Sequence, residues 1–593
     1  MTAETLIDRL MQLRSASAPA FSKDGRTLFH LADDSGQMQI WSLDIETGTR
    51  RQLTALDEPV GFLARSPADD TLVFGGDRGG DERQQLHLLA PGADGPAPLT
   101  DAPEAMHVWG AWAPDGKRIA YTANSRDGMG FDLYVMELDS RETRRVAEFQ
   151  GQQTVLSWSP DGALIGVREE RGSGDHALRL VDPATGITRT VARANGRATY
   201  AALRFRKDGG GAYCLTEIGD FIGLARLDPA TARCMPLFSA GDGDVEAAAL
   251  APGGDRLAVL VNRQGWSHLL LVDAATGAAT PVALPEGVVE GPSWSPDGSS
   301  LVFTLTGPDR PRALCLYELA TGATRLLLAA DTTGQGLVRW RLVGIPSFDG
   351  RQIAAWLAEP NEPAPATGRK AVVFVHGGPE SQLRPVFRAD WQALPLAGYT
   401  VLFPNVRGST GYGRHFASLD DVEKRLDAVE DLRHVRNWLA AQPGIDAGAI
   451  AVMGQSYGGF MVLAALTLQP ELWKLGIEYY GIGDFLTFFR DTSPWRRRHR
   501  AAEYGDAERD RDVLVQASPL THIDRLKAPL LVAHGKRDPR VPMSESEAVV
   551  AALEARGIPV ESVYFEHEGH GFTRPDDRRR MYLALLDFLA RRL

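Results

Sequence analysis

Residues 449–468 read AIAVMGQSYGGFMVLAALTL, and this stretch decides the fold of the C-terminal half of the chain. The apolar run 449–453 predicts a buried strand, and residues 459–468 predict a helix. Between them, Gly454-Gln455-Ser456-Tyr457-Gly458 predicts a tight turn, because two glycines permit a strained backbone and close packing. A serine on such a turn is exposed at a helix N-terminus, which favours anionic intermediates. Ser456 is therefore the candidate nucleophile.

The alternation of strand and helix extends through the whole C-terminal half. Apolar runs at 371–375, 399–404, 449–453, 529–533 and 560–565 predict strands, and 426–440, 459–468 and 579–593 predict helices. Strands that alternate with helices form a mainly parallel, doubly wound sheet. We therefore expect an α/β-hydrolase domain at residues 331–593.

A serine hydroxyl needs a general base, and the base needs an orienting acid. In this fold the chain order is serine, then aspartate or glutamate, then histidine. Asp538 and His570 satisfy that order, and each follows a predicted strand, at the edge where sites form in open α/β sheets. His567 competes with His570 as the base, but only His570 has flanking glycines, Gly569 and Gly571, that let the ring approach the turn.

The negatively charged oxygen of an acyl-transfer intermediate needs preorganised N–H donors. The residue after the nucleophile, Tyr457, supplies one backbone N–H in this type of turn. The loop His376-Gly377-Gly378-Pro379 follows the first parallel strand and offers the second. We assign that donor to Gly378, since Pro379 has no N–H.

The first half of the chain is periodic. Turn-like segments recur at 22–25, 66–70, 113–116, 159–162, 206–209, 251–255 and 295–298, and a second turn ending in Thr-Gly lies between several of them. Two hairpins in each period of roughly 45 residues make four strands, the unit of a β-propeller blade. Seven periods predict a seven-bladed β-propeller at residues 14–330, with a generic all-β sandwich as the alternative. Residues 1–13 predict a short amphipathic helix.

Composition limits the classes of function. The net charge of −12 argues against a nucleic-acid or membrane-surface binder, because such proteins carry basic patches. Three cysteines cannot all pair, and the first residues lack the pattern of a signal peptide, so we expect a cytoplasmic protein. No paired-histidine metal motif and no nucleotide-binding loop occurs, so we expect neither a metal nor a cofactor.

These motifs together resemble the prolyl oligopeptidase family of serine peptidases, in its acylaminoacyl-peptidase-like branch. The residues that carry the resemblance are His376-Gly377-Gly378-Pro379, residues 405–413 (NVRGSTGYG), Gly454-Gln455-Ser456-Tyr457-Gly458-Gly459, Asp538-Pro539-Arg540-Val541-Pro542 and Glu568-Gly569-His570-Gly571. The resemblance implies Ser456, Asp538 and His570 as the triad, with the Gly378 and Tyr457 N–H groups as the oxyanion hole. It also implies a site that faces the propeller across a cavity admitting only short peptides. The N-terminal helix would pack on the hydrolase domain.

The resemblance places a substrate pocket after the nucleophile helix. There, Phe485, Phe488 and Phe489 would line an apolar pocket, and Arg490 and Arg496 would hold a peptide carbonyl or a terminal carboxylate. A basic, solvated helix face is the alternative for the arginines. Glu169-Glu170 is the one pair that resembles the amine-binding glutamates of dipeptidyl-peptidase relatives, although its surroundings lack the aromatic residues of that motif.

The sequence therefore predicts a serine peptidase that acts on short peptides, of acylaminoacyl-peptidase or oligopeptidase type. A carboxypeptidase that uses an arginine and an esterase with the same triad are the alternatives. Whether the chain forms a homo-oligomer stays open at this level.

Overall fold

The computed structural model describes residues 2–191 and 198–593. In that part of the chain, seven antiparallel four-stranded sheets precede one eight-stranded sheet. Each small sheet pairs its strands in chain order, and we number these sheets blade 1 to blade 7. The predicted seven-bladed β-propeller is confirmed. The blade strands are Ala16–Phe21, Thr27–Ala32, Gln39–Asp44 and Arg50–Gln52; Phe62–Arg65, Leu72–Gly76, Gln85–Leu89 and Ala97–Pro98; His107–Trp112, Arg118–Ala123, Asp132–Glu137 and Thr143–Ala147; Gln153–Trp158, Ile165–Gly172, Asp175–Val181 and Thr188–Thr190; Tyr200–Phe205, Ala212–Ile218, Phe221–Asp228 and Arg233–Phe238; Asp244–Leu250, Arg256–Arg263, Trp266–Asp273 and Ala279–Pro281; and Val288–Trp294, Ser300–Gly307, Arg310–Glu318 and Ala323–Leu328.

The repeated turn joins the first two strands of a blade. In blade 1 the Ser22 hydroxyl donates to Asp24 at 2.7 Å, and Gly25 takes a φ of 76°. Blade 7 repeats the contact between Ser295 and Asp297 at 2.6 Å. A side-chain hydrogen bond and a glycine with positive φ are what a tight turn of this kind requires.

The blades form a closed ring through shared hydrophobic cores. Each neighbouring pair of blades buries one common cluster of aliphatic and aromatic side chains. Leu28 of blade 1 and Val302 of blade 7 lie in the same cluster, which joins the two ends of the ring. Every blade is built from consecutive residues, so packing rather than strand exchange closes the ring.

The eight-stranded sheet forms the second domain. Its strands are β1 Trp340–Pro346, β2 Gln352–Ala358, β3 Arg369–Val375, β4 Thr400–Asn405, β5 Ile445–Gln455, β6 Gly476–Tyr479, β7 Leu530–Gly535 and β8 Val560–Phe565. They lie in the order β1-β2-β4-β3-β5-β6-β7-β8. The neighbouring pairs β1–β2 and β2–β4 are antiparallel, and the other neighbouring pairs are parallel. This is the predicted α/β-hydrolase sheet; β1, β2 and β6 lie outside the five apolar runs that predicted its strands.

Helices cover both faces of this sheet. They are α1 Ala3–Met11, α2 Ala389–Leu396, α3 Arg414–Ala417, α4 Arg425–Ala440, α5 Tyr457–Leu468, α6 Phe485–Asp491, α7 Pro494–Tyr504, α8 Arg511–Ala517, α9 Met543–Glu554 and α10 Pro575–Arg592, with 3₁₀ helices at Val422–Lys424 and Pro519–Arg525. No helix in the described residues combines the length and apolar character needed to cross a membrane.

The N-terminal helix α1 packs on the hydrolase domain. Leu6, Ile7 and Leu10 are buried in the same cluster as Trp391 and Met581. Burial of apolar side chains is the main source of stability in such a contact. The N-terminal helix therefore lies on the hydrolase domain, and the chain passes through the propeller before it returns to that domain.

Candidate active site

The backbone at Ser456 is strained in the way that the flanking glycines predict. Ser456 lies between β5 and α5 with a φ of 58°, and its N–H donates to the Tyr479 carbonyl at 2.9 Å. A β-carbon on Gly454 would lie 2.3 Å from the Gly458 oxygen, and one on Gly458 would lie 2.1 Å from the Val375 oxygen. No side chain fits at either position. The turn consequently holds the serine hydroxyl out at the end of β5.

Asp538, His570 and Ser456 form one hydrogen-bonded row. His570 Nε2 lies 2.9 Å from Ser456 Oγ, and His570 Nδ1 lies 2.5 Å from Asp538 Oδ2. The other Asp538 oxygen accepts the backbone N–H groups of Arg540 and Val541 at 2.7 and 3.0 Å. Because the Asp538 carboxylate is an acceptor, His570 carries its proton on Nδ1. The lone pair on Nε2 is then free to accept the Ser456 hydroxyl.

His567, the competing histidine, takes no part in that row. Its Nδ1 lies 3.2 Å from the Arg537 guanidinium, and its side chain is exposed. His570 is therefore the histidine that meets Ser456.

Burial and charge set the ionisation of the pair. Burial lowers the pKa of His570, and the Asp538 carboxylate opposes that effect. Burial alone would raise the pKa of Asp538, but the nearby His570 and His534 hold it well below its ordinary value. Asp538 is thus an anion and His570 a neutral base at neutral pH.

The glycine loop lies directly against Ser456, the candidate nucleophile. A β-carbon on Gly377 would lie 3.2 Å from Ser456 Cβ. Among the described residues, neither the Gly378 nor the Tyr457 N–H has a hydrogen-bond acceptor. The Gly378 carbonyl accepts from the Tyr504 hydroxyl and from Arg500, each at 3.3 Å. Two unused donors beside a nucleophile are suited to an oxyanion.

A buried charged cluster supports the start of α5. The Tyr457 hydroxyl donates to Asp420 at 3.1 Å, and Arg425 pairs with Asp420 and with Glu503. Asp420, Asp421 and Glu503 offer oxygens within 4.8 Å of one another. Because the Arg425 guanidinium already contacts two of these carboxylates, the cluster serves to anchor Tyr457.

The three phenylalanines that were expected to line a pocket lie in the hydrophobic core. Phe485, Phe488 and Phe489 are at most 4% exposed, and each ring contacts the ring of Tyr504. They support Tyr504, which in turn contacts the glycine loop. Their spacing on α6 puts them on one helix face that is turned toward the core, and Phe489 also lines, with Arg490, a cavity of about 670 Å³.

The arginines that were expected to bind substrate have other partners. Arg490 is exposed and pairs with its neighbour Asp491 at 2.6 Å. Arg496 pairs with Glu82 of the propeller. Arg500, one turn further along α7, is the arginine that reaches the glycine loop. The sequence offered no signal that would separate Arg500 from its neighbours.

The propeller contacts both loops that carry the triad. A β-carbon on Gly80 of blade 2 would lie 2.8 Å from the Gly569 nitrogen, next to His570. Glu82 of the same loop pairs with Arg540, which follows Asp538. Ser456, which contacts His570, therefore lies on the side of the hydrolase domain that the propeller covers.

A cavity of about 290 Å³ lies between the domains beside the glycine loop. Its walls combine blades 4 to 6 with the hydrolase domain, and we call it the acidic cavity. The charged side chains that line it are Glu217, Asp220, Asp244, Glu380 and Asp421 with Arg414, His176 and His499. In the described residues, the Glu380 carboxyl has no hydrogen bond or ion pair, and burial raises its pKa to about 8.

The glutamate pair Glu169-Glu170 is already neutralised. Glu169 pairs with Arg171 and Arg179 at 3.1 and 2.7 Å, and Glu170 pairs with Arg168 at 2.6 Å. Neither carboxylate is available as a separate binding group.

Comparison with known proteins agrees with this geometry. Residues 385–593 match the model of the prolyl oligopeptidase family. The chain carries a serine peptidase domain of that family. The peptidase is 27% identical to dipeptidyl aminopeptidase BIII of Pseudoxanthomonas mexicana over 96% of this chain and 86% of the relative. It is also 27% identical to the human (Homo sapiens) acylamino-acid-releasing enzyme, over 38% of this chain and 32% of the relative.

Solved structures share the fold of the peptidase. A puromycin hydrolase superposes with a TM-score of 0.88 at 22% identity, covering 99% of this chain and 96% of the other. The acylaminoacyl peptidase of Pyrococcus horikoshii superposes with a TM-score of 0.76 at 19% identity, covering 99% and 97%. At these identities the likeness extends to the two-domain architecture alone.

Proposed function

We propose that this peptidase hydrolyses short peptides through an acyl-enzyme, with Ser456 as nucleophile, His570 as base and Asp538 as orienting acid. The observation that carries the proposal is the unbroken row of contacts from Asp538 to Ser456, which ends beside two unused N–H donors. The row has the order and the distances that nucleophilic catalysis requires.

Each group has one task in the reaction. Ser456 Oγ attacks the scissile carbonyl carbon while His570 Nε2 removes the hydroxyl proton. The carbonyl oxygen becomes an oxyanion and accepts hydrogen bonds from the Gly378 and Tyr457 N–H groups. Collapse of the intermediate breaks the C–N bond, and His570 delivers its proton to the leaving amine. A water molecule then repeats the sequence on the ester and releases the acid.

The propeller supports a limit on substrate size. Blade 2 touches the Asp538 and His570 loops, and blades 4 to 6 wall the acidic cavity. A folded protein does not fit such a space, whereas a short extended peptide does. Cleavage of a peptide series of increasing length, with denatured casein and native lysozyme beside it, tests the limit. Equal turnover of native lysozyme would overturn it.

The triad assignment has a direct test. An organophosphonate is expected to add once per chain to Ser456, and Ser456→Ala is expected to lose both the adduct and peptidase activity. Full activity in Ser456→Ala would refute the proposed mechanism. Aryl esters compared with peptides then separate a peptidase from an esterase that uses the same triad, since a purely ester-active profile would favour the second.

The remaining candidate activities differ in which end of the peptide they recognise. Acylaminoacyl peptidases act on blocked N-termini, whereas the acidic cavity favours a free α-amine, since an ammonium group beside Glu380 would lower the raised pKa of this carboxyl, which has no partner among the described residues, and form an ion pair with it. Aminopeptidase activity, the removal of residues from a free N-terminus, is therefore our second candidate function. The carboxypeptidase alternative loses support, because Arg490 and Arg496 are already paired.

One matched set of substrates distinguishes the three. The same peptide is offered free, N-acetylated and C-amidated to the wild type and to Glu380→Gln. Aminopeptidase activity predicts that acetylation lowers kcat/KM and that Glu380→Gln removes the preference. Faster cleavage of the acetylated form would favour the acylaminoacyl type, and loss on amidation would favour the carboxypeptidase.

A further inference from the structure

A buried row of polar side chains continues behind Asp538, away from the serine. It consists of His534 at the end of β7, Ser546 on α9 and Glu478 on β6, none of which is exposed. His534 Nδ1 lies 2.7 Å from Ser546 Oγ, and Ser546 Oγ lies 3.3 Å from Glu478 Oε1. Polar groups are retained in a core only where each has a partner. The reaction as described so far uses none of these three residues.

The surroundings of His534 fix one of its protons. Its Nε2 lies 3.0 Å from the Val541 carbonyl oxygen and 3.4 Å from Asp538 Oδ2. Both neighbours are acceptors, so Nε2 carries hydrogen and donates toward them. His534 therefore hydrogen-bonds the Val541 carbonyl, and the same N–H makes a longer electrostatic contact with the Asp538 oxygen that receives His570.

The rest of the row then needs one further proton. That proton lies either on His534 Nδ1 or on Glu478; when it is not on His534, the Nδ1 atom is an acceptor and the Ser546 hydroxyl donates to it. Ser546 has no second hydrogen for Glu478, and two facing acceptors repel. The contact is satisfied when Glu478 is a protonated carboxyl that donates to Ser546. Its other oxygen accepts the Gly481 N–H at 2.6 Å.

The charges around Glu478 are consistent with a protonated carboxyl. Burial raises the pKa of Glu478 to about 7; His534 in its protonated form and the Gly481 N–H oppose the rise, and Glu545 adds to it. Tyr564, whose own pKa is raised by burial and in part by Glu478, is a further titratable neighbour. Within the described residues, no lysine or arginine pairs with Glu478.

We propose that Glu478, Ser546 and His534 form a positioning row for the catalytic acid, in which a proton on Glu478 orients Ser546, Ser546 orients His534, and the His534 N–H, bonded to the Val541 carbonyl, faces the Asp538 carboxylate. The row fixes the carboxylate oxygen that receives His570 and withdraws part of its negative charge. This inference rests on the proposed triad. It adds three positioning residues that lie away from the substrate.

The first test removes the donor to Asp538. In His534→Phe, kcat is expected to fall about 10- to 100-fold, the range for lost supporting contacts at active sites, with KM unchanged. Without the donor the full carboxylate charge acts on His570, so the acid limb of the kcat/KM profile moves to higher pH. His534→Gln places an amide N–H near the Nε2 position and is expected to recover part of kcat and the original limb.

The second test addresses the proton on Glu478. In Glu478→Gln the amide N–H donates to Ser546 and the amide oxygen accepts from Gly481, so kcat is expected to stay within about threefold of wild type. Glu478→Leu has no such donor and is expected to lose activity as His534→Phe does. Ser546→Ala interrupts the row with the smallest change in volume, and serves if either larger substitution fails to fold.

Thermal unfolding and circular dichroism establish that each variant is folded. A folded His534→Phe or Ser546→Ala with wild-type kcat and an unmoved acid limb would overturn the positioning row. Equal losses in Glu478→Gln and Glu478→Leu would overturn the proton assignment. Either result leaves the proposed function intact, because that function fails only if Ser456→Ala stays active or the wild type cleaves no peptide.

Discussion

Glu82 of the propeller forms an ion pair with Arg540 of the hydrolase domain, two residues beyond Asp538. The same carboxylate pairs with Arg496 on α7. One propeller side chain thus links the loop of the catalytic acid with the helix whose next turn contacts the glycine loop. The ring of blades contributes to the geometry of the site as well as enclosing it.

Replacing Glu82 should affect catalysis as well as stability. Glu82→Gln leaves the part-buried Arg496 without its carboxylate. Where the remaining charge is poorly solvated, this lowers the free energy of unfolding by about 1–3 kcal/mol. We expect kcat/KM for a short peptide to fall about tenfold. Glu104→Gln is the control, since Glu104 forms an exposed ion pair with Arg83 in the same blade. Equal activity in both variants would contradict a role for Glu82 at the site.

Gly80 should tolerate no side chain, because of its contact rather than its backbone. Its β-carbon would meet Gly569 at 2.8 Å, with a φ of 71°. Gly92, also in blade 2, has a φ of 74° and nothing within 4 Å. Gly92→Ala therefore costs only the strain of about 1 kcal/mol, whereas Gly80→Ala also displaces the His570 loop. We expect kcat to fall at least tenfold in Gly80→Ala alone, measured beside the thermal unfolding of both.

These contacts show what the sequence could and could not predict. The turn at Ser456, the order of Asp538 and His570 and the seven repeats follow from local patterns, because glycine placement and period are visible in the letters. The partner of Arg496 lies 414 residues away, and no local pattern reveals it.

The phenylalanines of α6 illustrate a second limit. Their spacing predicts one apolar helix face, and the structure contains that face. A helix period does not state whether the face meets a cavity or the core. Burial behind Tyr504 depends on the packing of α6 against α5, which only the folded chain defines.

The pH profile should report His570. The base works when neutral, so activity is lost as pH falls through its pKa. Burial lowers that pKa below its ordinary 6.5, so the acid limb of kcat/KM should lie below pH 6.5. Asp538→Asn removes the charge that opposes burial, and the limb should move lower still while kcat falls about 10⁴-fold. A limb that moved upward would contradict this assignment of charges.

Arg425 should be essential for the stability of the hydrolase domain. Arg425→Met leaves Asp420 and Glu503 buried without their cation, which costs about 3–5 kcal/mol. Arg433→Met is the control, because Arg433 pairs on the surface with Glu430 and Glu471, a type of contact worth about 0–1 kcal/mol. Urea unfolding followed by circular dichroism measures both. Similar midpoints for the two variants would refute the distinction.

The Tyr504 hydroxyl should matter for rate and not for folding. Tyr504→Phe keeps the ring that packs on Phe485 and removes only the hydrogen bond to the Gly378 carbonyl. This hydrogen bond contributes about 0.5–1.5 kcal/mol net. If it acts mainly when the oxyanion forms, its loss lowers kcat about 2- to 10-fold and leaves KM unchanged. Tyr213→Phe is the matched control, because that hydroxyl also donates to a buried carbonyl, that of Ala274 in the propeller. If both variants lose kcat equally, the effect comes from general stability; if only Tyr504→Phe does, the glycine loop depends on α7 for its position.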